Sequence, residues 1–242
     1  MFFQIRKHTV SESGILTGFT DWHSHLLPGV DDGVQAMEES LQVLSLYEQL
    51  GISEVWLTPH IMEDIPNRTK DLKERFAELD ANYQGNITLC LAAENMLDNL
   101  FEKRLAKDDL LPLGKDRKHL LVETSYFNPP MGLNNILLRI KSKGYYPVLA
   151  HPERYMYMNE DDYRQLKSLG VKLQLNLPSI TGMYGPDVKK KAERLLKNGF
   201  YDLTGSDTHS LAIWKDTMTR KIQRSILNRL QDILTAHSLE TR

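Results

Sequence analysis

Nine side chains that could bind metal ions lie at or just beyond the ends of apolar stretches in this sequence. Each offers an imidazole nitrogen or a carboxylate oxygen, which are common ligands of divalent cations. They are His23, His25, Asp32, His60, Glu94, Glu123, His151, Asp207 and His209. An unpaired carboxylate buried at the end of an apolar run is costly, so Glu94 and Glu123 need partners. Jointly the nine residues predict a polynuclear metal site.

Taken singly, several of these residues have ordinary structural explanations. Asp32 belongs to a DDG sequence typical of turns, and His60 follows a proline in what could be a simple loop. His23 and His25 are more informative, because residues two apart in a strand project to the same face and could bind one ion. The metal interpretation therefore depends on the whole set rather than on any one residue.

The apolar stretches predict buried parallel strands that alternate with amphipathic helices. The predicted strands lie near residues 16–22, 52–58, 87–93, 118–123, 145–150, 171–176 and 200–205. The predicted helices lie near residues 36–50, 69–84, 98–107, 131–143, 161–169, 186–198 and 213–236. Functional groups of β/α barrels collect at the carboxyl ends of the strands, where these polar residues fall. We therefore expect an α/β fold, a distorted (β/α)7 barrel forming a single domain over residues 15–242, with a loose N-terminal arm over residues 1–14.

Composition narrows the function classes. The 242 residues carry 30 basic and 32 acidic side chains, a formal net charge of -2, and no long basic run that would favour nucleic acid. The N-terminal sequence lacks the features of a signal peptide, and no run of 18 uncharged apolar residues occurs. We expect a soluble cytoplasmic protein without stable membrane insertion. The sequence leaves the oligomeric state open.

Cysteine usage restricts the chemistry further. Cys90 is the only cysteine, which excludes a thiolate metal cluster. Nitrogen and oxygen ligation fits Mn, Fe or Zn without separating them. Cys90 is also not followed by the phosphate-binding loop and arginine that a cysteine-dependent phosphatase requires, so it is predicted to be a buried apolar residue. With four carboxylates, three divalent ions would leave the cluster at about +2 and two would leave it near zero, and the charge of about +2 is suited to a phosphate dianion.

Six segments between about Thr20 and His209 contain these residues: DWHSHLLPGVDDG, TPHI, AAEN, LVETS, GYYPVLAHPERY and GSDTH. In order and spacing they resemble the polymerase and histidinol phosphatase (PHP) family, specifically the manganese-dependent protein-tyrosine phosphatases encoded with bacterial capsule and exopolysaccharide genes. The resemblance implies three divalent ions, with Mn preferred and Fe or Zn possible. It implies one ion at His23, His25, Glu123 and Asp207, a second at Glu94, Glu123 and His151 with Glu123 bridging, and a third at Asp32, His60 and His209.

The resemblance also implies how substrate is held. Arg154 matches an arginine that binds phosphate in the family, and Tyr155 beside it is predicted to contact substrate. A second family arginine is missing here, and Lys215 lies close to but not at its position. Lysine supplies charge but not the guanidinium fork, so a solvated helix residue is the favoured interpretation of Lys215. The turn-rich loops 125–132 and 178–186 are expected to overhang the site.

These inferences predict hydrolysis of phosphomonoesters by attack of a metal-bound hydroxide on phosphorus, with His60 or His209 as candidate general acids. The resemblance implies that the substrate is a phosphotyrosine protein, a bacterial tyrosine kinase of polysaccharide export. Two alternatives remain at this stage. One is a histidinol-phosphate phosphatase or another small-molecule phosphoesterase of the PHP family, and the other is a catalytically silent PHP module that only binds metal.

Overall fold

The computed structural model describes residues 7–234 and residue 239, in which strands and helices alternate along most of the chain. The first half contains β1 (Lys7–Thr9), β2 (Thr20–Ser24), α1 (Met37–Gln49), β3 (Glu54–Leu57), β4 (His60–Ile61), α2 (Thr69–Asn82), β5 (Thr88–Leu91), β6 (Glu94–Met96) and α3 (Asn99–Lys107). The second half contains β7 (His119–Glu123), α4 (Leu133–Ser142), β8 (Tyr146–Ala150), α5 (Glu160–Ser168), β9 (Lys172–Asn176), α6 (Leu177–Thr181), α7 (Pro186–Lys197), β10 (Leu203–Gly205), α8 (Leu211–Thr219), β11 (Lys221–Gln223) and α9 (Arg224–Leu234).

Two parallel sheets together form a distorted seven-stranded barrel. One sheet has the order β10-β9-β8-β7-β6-β4, and the other has the order β2-β3-β5. Because β3 leads directly into β4 and β5 into β6, these four short strands occupy two barrel positions. The backbone N–H of Ala92 donates to the Leu57 carbonyl at 2.9 Å where the two sheets meet.

The barrel closes between its first and last strands. Ser24 forms a parallel bridge with Thr208, and the Asp207 backbone N–H donates to the His23 carbonyl at 2.7 Å. Each position is followed by a helix on the outer face, so the arrangement confirms the predicted α/β fold of the distorted (β/α)7 type. Inside the barrel, apolar side chains from several strands form a cluster separate from the main core: Trp22, Trp56, Ala92, Leu113, Leu121, Val148, Ala150 and Leu203.

The N-terminal segment differs from the loose arm predicted for residues 1–14. Strand β1 pairs antiparallel with β11, with Lys7 opposite Gln223 and Thr9 opposite Lys221. Val10 is buried, and its backbone N–H donates to the Arg220 carbonyl at 3.1 Å. The described part of the arm is therefore fixed to the fold by main-chain hydrogen bonds. Residues 1–6 of that prediction lie outside the described residues.

The same pairing changes the last predicted helix. The amphipathic stretch 213–236 is not one helix, because β11 separates α8 from α9. The strand predicted at 16–22 corresponds to β2, which begins later, at Thr20, and continues to Ser24. No helix among the described residues is both long and apolar enough to cross a membrane.

Candidate metal centre

All nine predicted ligands meet at the carboxyl-terminal mouth of the barrel. His23 lies in β2, His60 begins β4, Glu94 begins β6 and Glu123 ends β7. The remaining members follow strands directly or sit in the loop after β2: His25, Asp32, His151, Asp207 and His209. Parallel strands bring their carboxyl ends to one edge, so residues distant in sequence become neighbours.

One group of side chains surrounds the two histidines of the HxH sequence. The Nε2 atoms of His23 and His25 lie 3.0 Å apart. Asp207 Oδ1 is 3.5 Å from His23 Nε2 and 3.4 Å from His25 Nε2. Glu94 Oε2 completes the group at 3.2 and 3.3 Å from the same two nitrogens. The glutamate that joins Asp207 beside His23 and His25 is thus Glu94, whereas the resemblance implied Glu123 at that place.

A second group surrounds the two glutamates. His60 Nδ1 is 3.0 Å from Glu123 Oε1 and 3.2 Å from Glu94 Oε2. His151 Nε2 is 3.1 Å from the other Glu94 oxygen, Oε1, and 3.9 Å from Glu123 Oε2. Glu94 therefore faces both the first group and the second. This geometry favours Glu94 over Glu123 as the carboxylate shared between ions.

A third group is the most exposed. Asp32 Oδ1 lies 3.5 Å from His60 Nε2 and 3.6 Å from His209 Nε2, and its side chain is 66% accessible. The His25 and His209 rings stack with centroids 4.0 Å apart, so this group adjoins the first. A ligand position that opens to solvent suits exchange of water or substrate.

The described residues fit divalent cations on physical grounds. Four buried atoms of the nine candidate ligands have no hydrogen-bond partner among the described residues: His60 Nδ1, Glu94 Oε2, Glu123 Oε1 and His151 Nδ1. Candidate ligand atoms of His60, Glu94 and Glu123 lie within 4.8 Å of one another, as do those of His23, His25 and Asp207 and those of His25, Asp32, His60 and His209. Buried polar atoms that converge without partners are stabilised by a cation. These sets are candidate sites for divalent cations.

Two residues that the sequence did not single out orient the histidines. His25 Nδ1 lies 2.8 Å from Asp31 Oδ2, and His23 Nδ1 lies 2.9 Å from Gln174 Oε1. Because both partners are acceptors, each Nδ1 donates to its partner, which leaves each Nε2 to bind a metal once it has lost its own proton. The sequence offered only a weak indication of these two roles. Asp31 precedes another aspartate, and Gln174 is a polar residue within an apolar strand.

Two of the candidate ligands have left-handed backbone conformations, which non-glycine residues adopt rarely. His151 has φ 33° and Asp207 has φ 50°. Each directly follows or closely follows a barrel strand, where the chain turns out of the sheet. Strain of this kind persists where surrounding structure fixes it, and it is frequent at functional sites. Here it aims both side chains into the barrel mouth.

Charges within the cluster act strongly on one another. Burial alone would lower the pKa of His23, but the carboxylates of Glu94 and Asp207 outweigh it and raise that pKa to about 9. Burial alone would raise the pKa of Glu94 and of Asp207, and the neighbouring histidines, His23 foremost, instead hold both well below their usual range. The carboxylates are therefore ionised and available to cations at neutral pH.

Arg154 lies at the edge of the cluster. Its Nη1 donates to Asp207 Oδ2 at 3.2 Å, and the Asn176 amide donates to the same oxygen at 2.5 Å. The guanidinium also lies over the rings of Tyr126 and Tyr184, 4.2 and 4.4 Å from their centroids. Burial alone would lower the pKa of Arg154, but Asp207 raises it, so the side chain remains a cation.

The two other residues predicted to bind substrate, Tyr155 and Lys215, are placed differently from Arg154. Tyr155 is fully buried, its hydroxyl accepts a hydrogen bond from the Thr124 backbone N–H, and its ring stacks behind Tyr126. This burial corrects the prediction that Tyr155 contacts substrate. Lys215 is exposed on α8, and no ion pair or hydrogen bond joins it to the described cluster.

Cys90 has no place in this chemistry. It lies in β5, half-buried and beside the Trp22 and Trp56 cluster, away from the ligand groups. Burial raises the pKa of its thiol, which disfavours the thiolate that a nucleophilic cysteine needs.

The fold and the site together define a β/α barrel with a candidate metal centre at its mouth, and the sequence assigns it to a family. Residues 19–232 match the family described as capsular polysaccharide synthesis, CpsB/CapC, and the chain belongs to that family. It is 30% identical over 208 residues to the tyrosine-protein phosphatase CpsB of Streptococcus pneumoniae, covering 79% of this chain and 83% of that protein. It is 26% identical over 197 residues to the tyrosine-protein phosphatase YwqE of Bacillus subtilis, covering 79% of this chain and 77% of that protein.

Solved structures give the same result. This chain superposes with a TM-score of 0.70 and 25% identity on a chain from the crystal structures of YwqE from Bacillus subtilis and CpsB from Streptococcus pneumoniae. Those two proteins are described as unique metal-dependent tyrosine phosphatases. That match covers 88% of this chain and 86% of the other. A lactonase from Listeria monocytogenes matches at TM-score 0.54 and 14% identity, which indicates a shared fold only. The family predicted from the six sequence segments is thereby confirmed.

Proposed function

We propose that this protein is a metal-dependent protein-tyrosine phosphatase that binds three divalent ions, Mn first among them, through the nine ligands. The observation that carries the proposal is the convergence of these side chains beside Arg154 at one barrel mouth, in a chain whose relatives are named tyrosine-protein phosphatases. Zn or Fe would satisfy the same nitrogen and oxygen ligands. Its substrate is a phosphotyrosine protein, a tyrosine kinase of polysaccharide export.

Bound ions supply Lewis-acid chemistry, activating water at neutral pH and neutralising charge on the phosphoryl oxygens. The chain's own residues do the rest. Asp31 and Gln174 hold His25 and His23 in the tautomer that directs Nε2 inward. Arg154 presents guanidinium donors that match phosphoryl oxygens. His60 and His209 lie beside the exposed Asp32, and they are our candidates for protonating the departing phenol oxygen.

The surroundings of the mouth support a protein substrate over a small one. Phe127 is 90% exposed and Met131 98% exposed on the loop that follows β7, and Met156 is also exposed near Arg154. We take these exposed apolar side chains as contacts for the polypeptide that carries the phosphotyrosine. They are poorly suited to an enclosed pocket around a small charged metabolite.

Histidinol phosphate is the main competing substrate, and one residue argues against it. Its ammonium group needs a carboxylate not occupied by metal, and Glu153 is the spare acid in the HPER segment. Glu153 is fully buried, and it accepts hydrogen bonds from the Asn176 backbone N–H at 3.0 Å and from the Tyr201 hydroxyl at 2.9 Å. Because both carboxylate oxygens of Glu153 accept hydrogen bonds from the protein, its side chain is not available to a ligand.

A substrate comparison tests this proposal. The metal-loaded protein should hydrolyse a phosphotyrosine peptide with higher kcat/KM than histidinol phosphate, and a phosphoserine peptide more slowly, because an alkoxide is a poorer leaving group than a phenoxide. A preference of tenfold or more for histidinol phosphate would overturn the tyrosine assignment. Turnover of none of the three by fully metal-loaded protein would support a silent metal-binding module.

A further inference from the structure

We infer that Tyr126 and Tyr184 form a clamp around the Arg154 guanidinium. The clamp holds the guanidinium in the orientation in which its N–H groups bind phosphate. This inference rests on the proposed function, because it takes Arg154 as the phosphate-binding arginine. It assigns a positioning role to two tyrosines on separate loops, and it makes phosphate affinity depend on their rings rather than on their hydroxyls.

The geometry of the guanidinium explains why stacking suits this task. The Arg154 Cζ lies 4.2 Å from the Tyr126 ring centroid and 4.4 Å from that of Tyr184. A guanidinium carries its five N–H donors in its plane, so a ring packed over its face consumes none of them. Among the described residues, Asp207 accepts one of these donors. The in-plane donors that remain can bind phosphoryl oxygens while the orientation is fixed.

Each tyrosine comes from a loop that overhangs the barrel mouth. Tyr126 lies in the loop between β7 and α4, three residues after the candidate ligand Glu123, and Tyr184 lies in the loop between α6 and α7. The Tyr184 hydroxyl approaches Asp207 Oδ2 at 3.5 Å, the oxygen to which Arg154 donates. The arginine, both rings and one candidate metal ligand therefore form a single contact network.

Tyr126 is itself supported from behind. Its ring stacks on Tyr155 with centroids 6.0 Å apart, and Tyr155 stacks on Tyr157 at 5.8 Å. The Tyr157 hydroxyl lies 2.6 Å from Thr124 Oγ1, which connects this row of rings to the end of β7. The buried Tyr155 thus has a function even though it does not face substrate: it keeps Tyr126 pressed against Arg154.

The inference separates the ring from the hydroxyl. Tyr126→Phe and Tyr184→Phe keep the face that attracts the cation, whereas Tyr126→Leu and Tyr184→Leu keep apolar volume without that face. The Leu variants should bind inorganic phosphate roughly tenfold more weakly, the size expected when a partly desolvated cation–π contact is lost. The Phe variants should stay within about twofold of the unmodified protein.

The experiment measures inorganic phosphate binding to each metal-loaded protein by calorimetry, metal content in the same samples, and kcat and KM for p-nitrophenyl phosphate. Tyr83→Leu, at the end of α2, serves as the matched control, since it removes a partly buried tyrosine remote from the ligand groups. It should leave phosphate affinity unchanged. Metal content should remain that of the unmodified protein in every tyrosine variant.

A double-mutant cycle with Arg154→Ala decides whether the tyrosines act through the arginine. In the Arg154→Ala background, Tyr126→Leu and Tyr184→Leu should cause no further loss of phosphate affinity. An undiminished loss in that background, or an equal loss in the Phe and Leu variants, would overturn the clamp. Because phosphate binding needs no turnover, a protein that binds phosphate through the clamp but fails on phosphotyrosine peptides would contradict the proposed function and leave the clamp standing.

Discussion

The Asp31 carboxylate accepts a hydrogen bond from His25 Nδ1 through Oδ2 at 2.8 Å. The same oxygen accepts the His60 backbone N–H at 3.0 Å, and Oδ1 accepts the Gly33 backbone N–H at 3.0 Å. Burial alone would raise the pKa of Asp31, but His25 and these donors lower it to about 2. Asp31 is therefore an ionised acceptor at neutral pH that fixes the orientation of one candidate ligand and the backbone of another.

Replacing this carboxylate should weaken metal binding without unfolding the protein. In Asp31→Asn the amide is a weaker acceptor for His25, so metal affinity should fall about 10- to 100-fold. Titration of metal-free protein with Mn, monitored by calorimetry, measures the change in metal affinity. Asp64→Asn is the matched control, because Asp64 is exposed in the loop after β4. Equal metal affinity in Asp31→Asn and the unmodified protein would show that the hydrogen bond does not orient His25.

Glu94 should matter more for metal content than Glu123. Glu94 lies within 3.3 Å of His23, His25, His60 and His151, whereas the short contact of Glu123 is with His60. Glu94→Gln should therefore lose about two ions per chain and Glu123→Gln about one, because a shared ligand serves two sites. Elemental analysis of the purified variants distinguishes them. A greater loss in Glu123→Gln would restore the arrangement in which Glu123 bridges.

The sequence was sufficient to predict the alternation of strands and helices and the nine-residue set. Apolar runs bounded by glycine and followed by polar residues carry that information locally, as the match between predicted strand 145–150 and β8 illustrates. The sequence was not sufficient to predict that Glu94 is the carboxylate shared by the first and second groups. This placement depends on the register of β6 against β7 and on which side chain extends furthest into the barrel mouth. Spacing along the chain does not encode that reach.

Prediction from the sequence was also limited where adjacent residues have the same side chain. Asp31 and Asp32 are adjacent and chemically identical, and only the turn after β2 directs one toward His25 and the other toward His60 and His209. The helix predicted over 213–236 failed for a related reason. Its amphipathic pattern continues through Lys221–Gln223, but pairing with β1, more than 200 residues away in sequence, turns that segment into a strand.

Close approach of the backbone to the site predicts an effect of Gly205→Ala. A Cβ at Gly205 would lie 2.3 Å from His23 Cβ and 2.8 Å from Gln174 Nε2, so both side chains would have to shift. The variant should lose about 1–3 kcal/mol of unfolding free energy, and metal binding should weaken as His23 is displaced. Chemical denaturation and metal titration measure the two effects.

Gly199→Ala provides the comparison for that variant. Gly199 has φ 70° with no atom within 4 Å of an added Cβ, so its replacement introduces backbone strain alone. It should destabilise the protein by roughly 1 kcal/mol and leave metal affinity unchanged. Normal metal affinity in Gly205→Ala would show that the packing of Gly205 against His23 does not position the ligand.

Cys90→Ser should retain activity. The thiol is half-buried in β5 with a raised pKa, and it lies apart from the ligand groups. We expect near-normal kcat and a stability loss of about 1 kcal/mol at most, from placing a hydroxyl in a partly apolar position. An inactive Cys90→Ser variant that folds and binds metal normally would indicate thiolate chemistry instead.

The central claim is that the nine nitrogen and oxygen ligands hold the ions on which phosphatase activity depends. The most direct measurement is hydrolysis of a phosphotyrosine peptide by chelator-treated protein, repeated after Mn, Fe, Zn and Mg are added back singly, with bound metal quantified in each sample. The account predicts that chelation abolishes turnover and that Mn restores it as bound metal approaches three ions per chain. Full turnover in protein verified to be free of metal would contradict it.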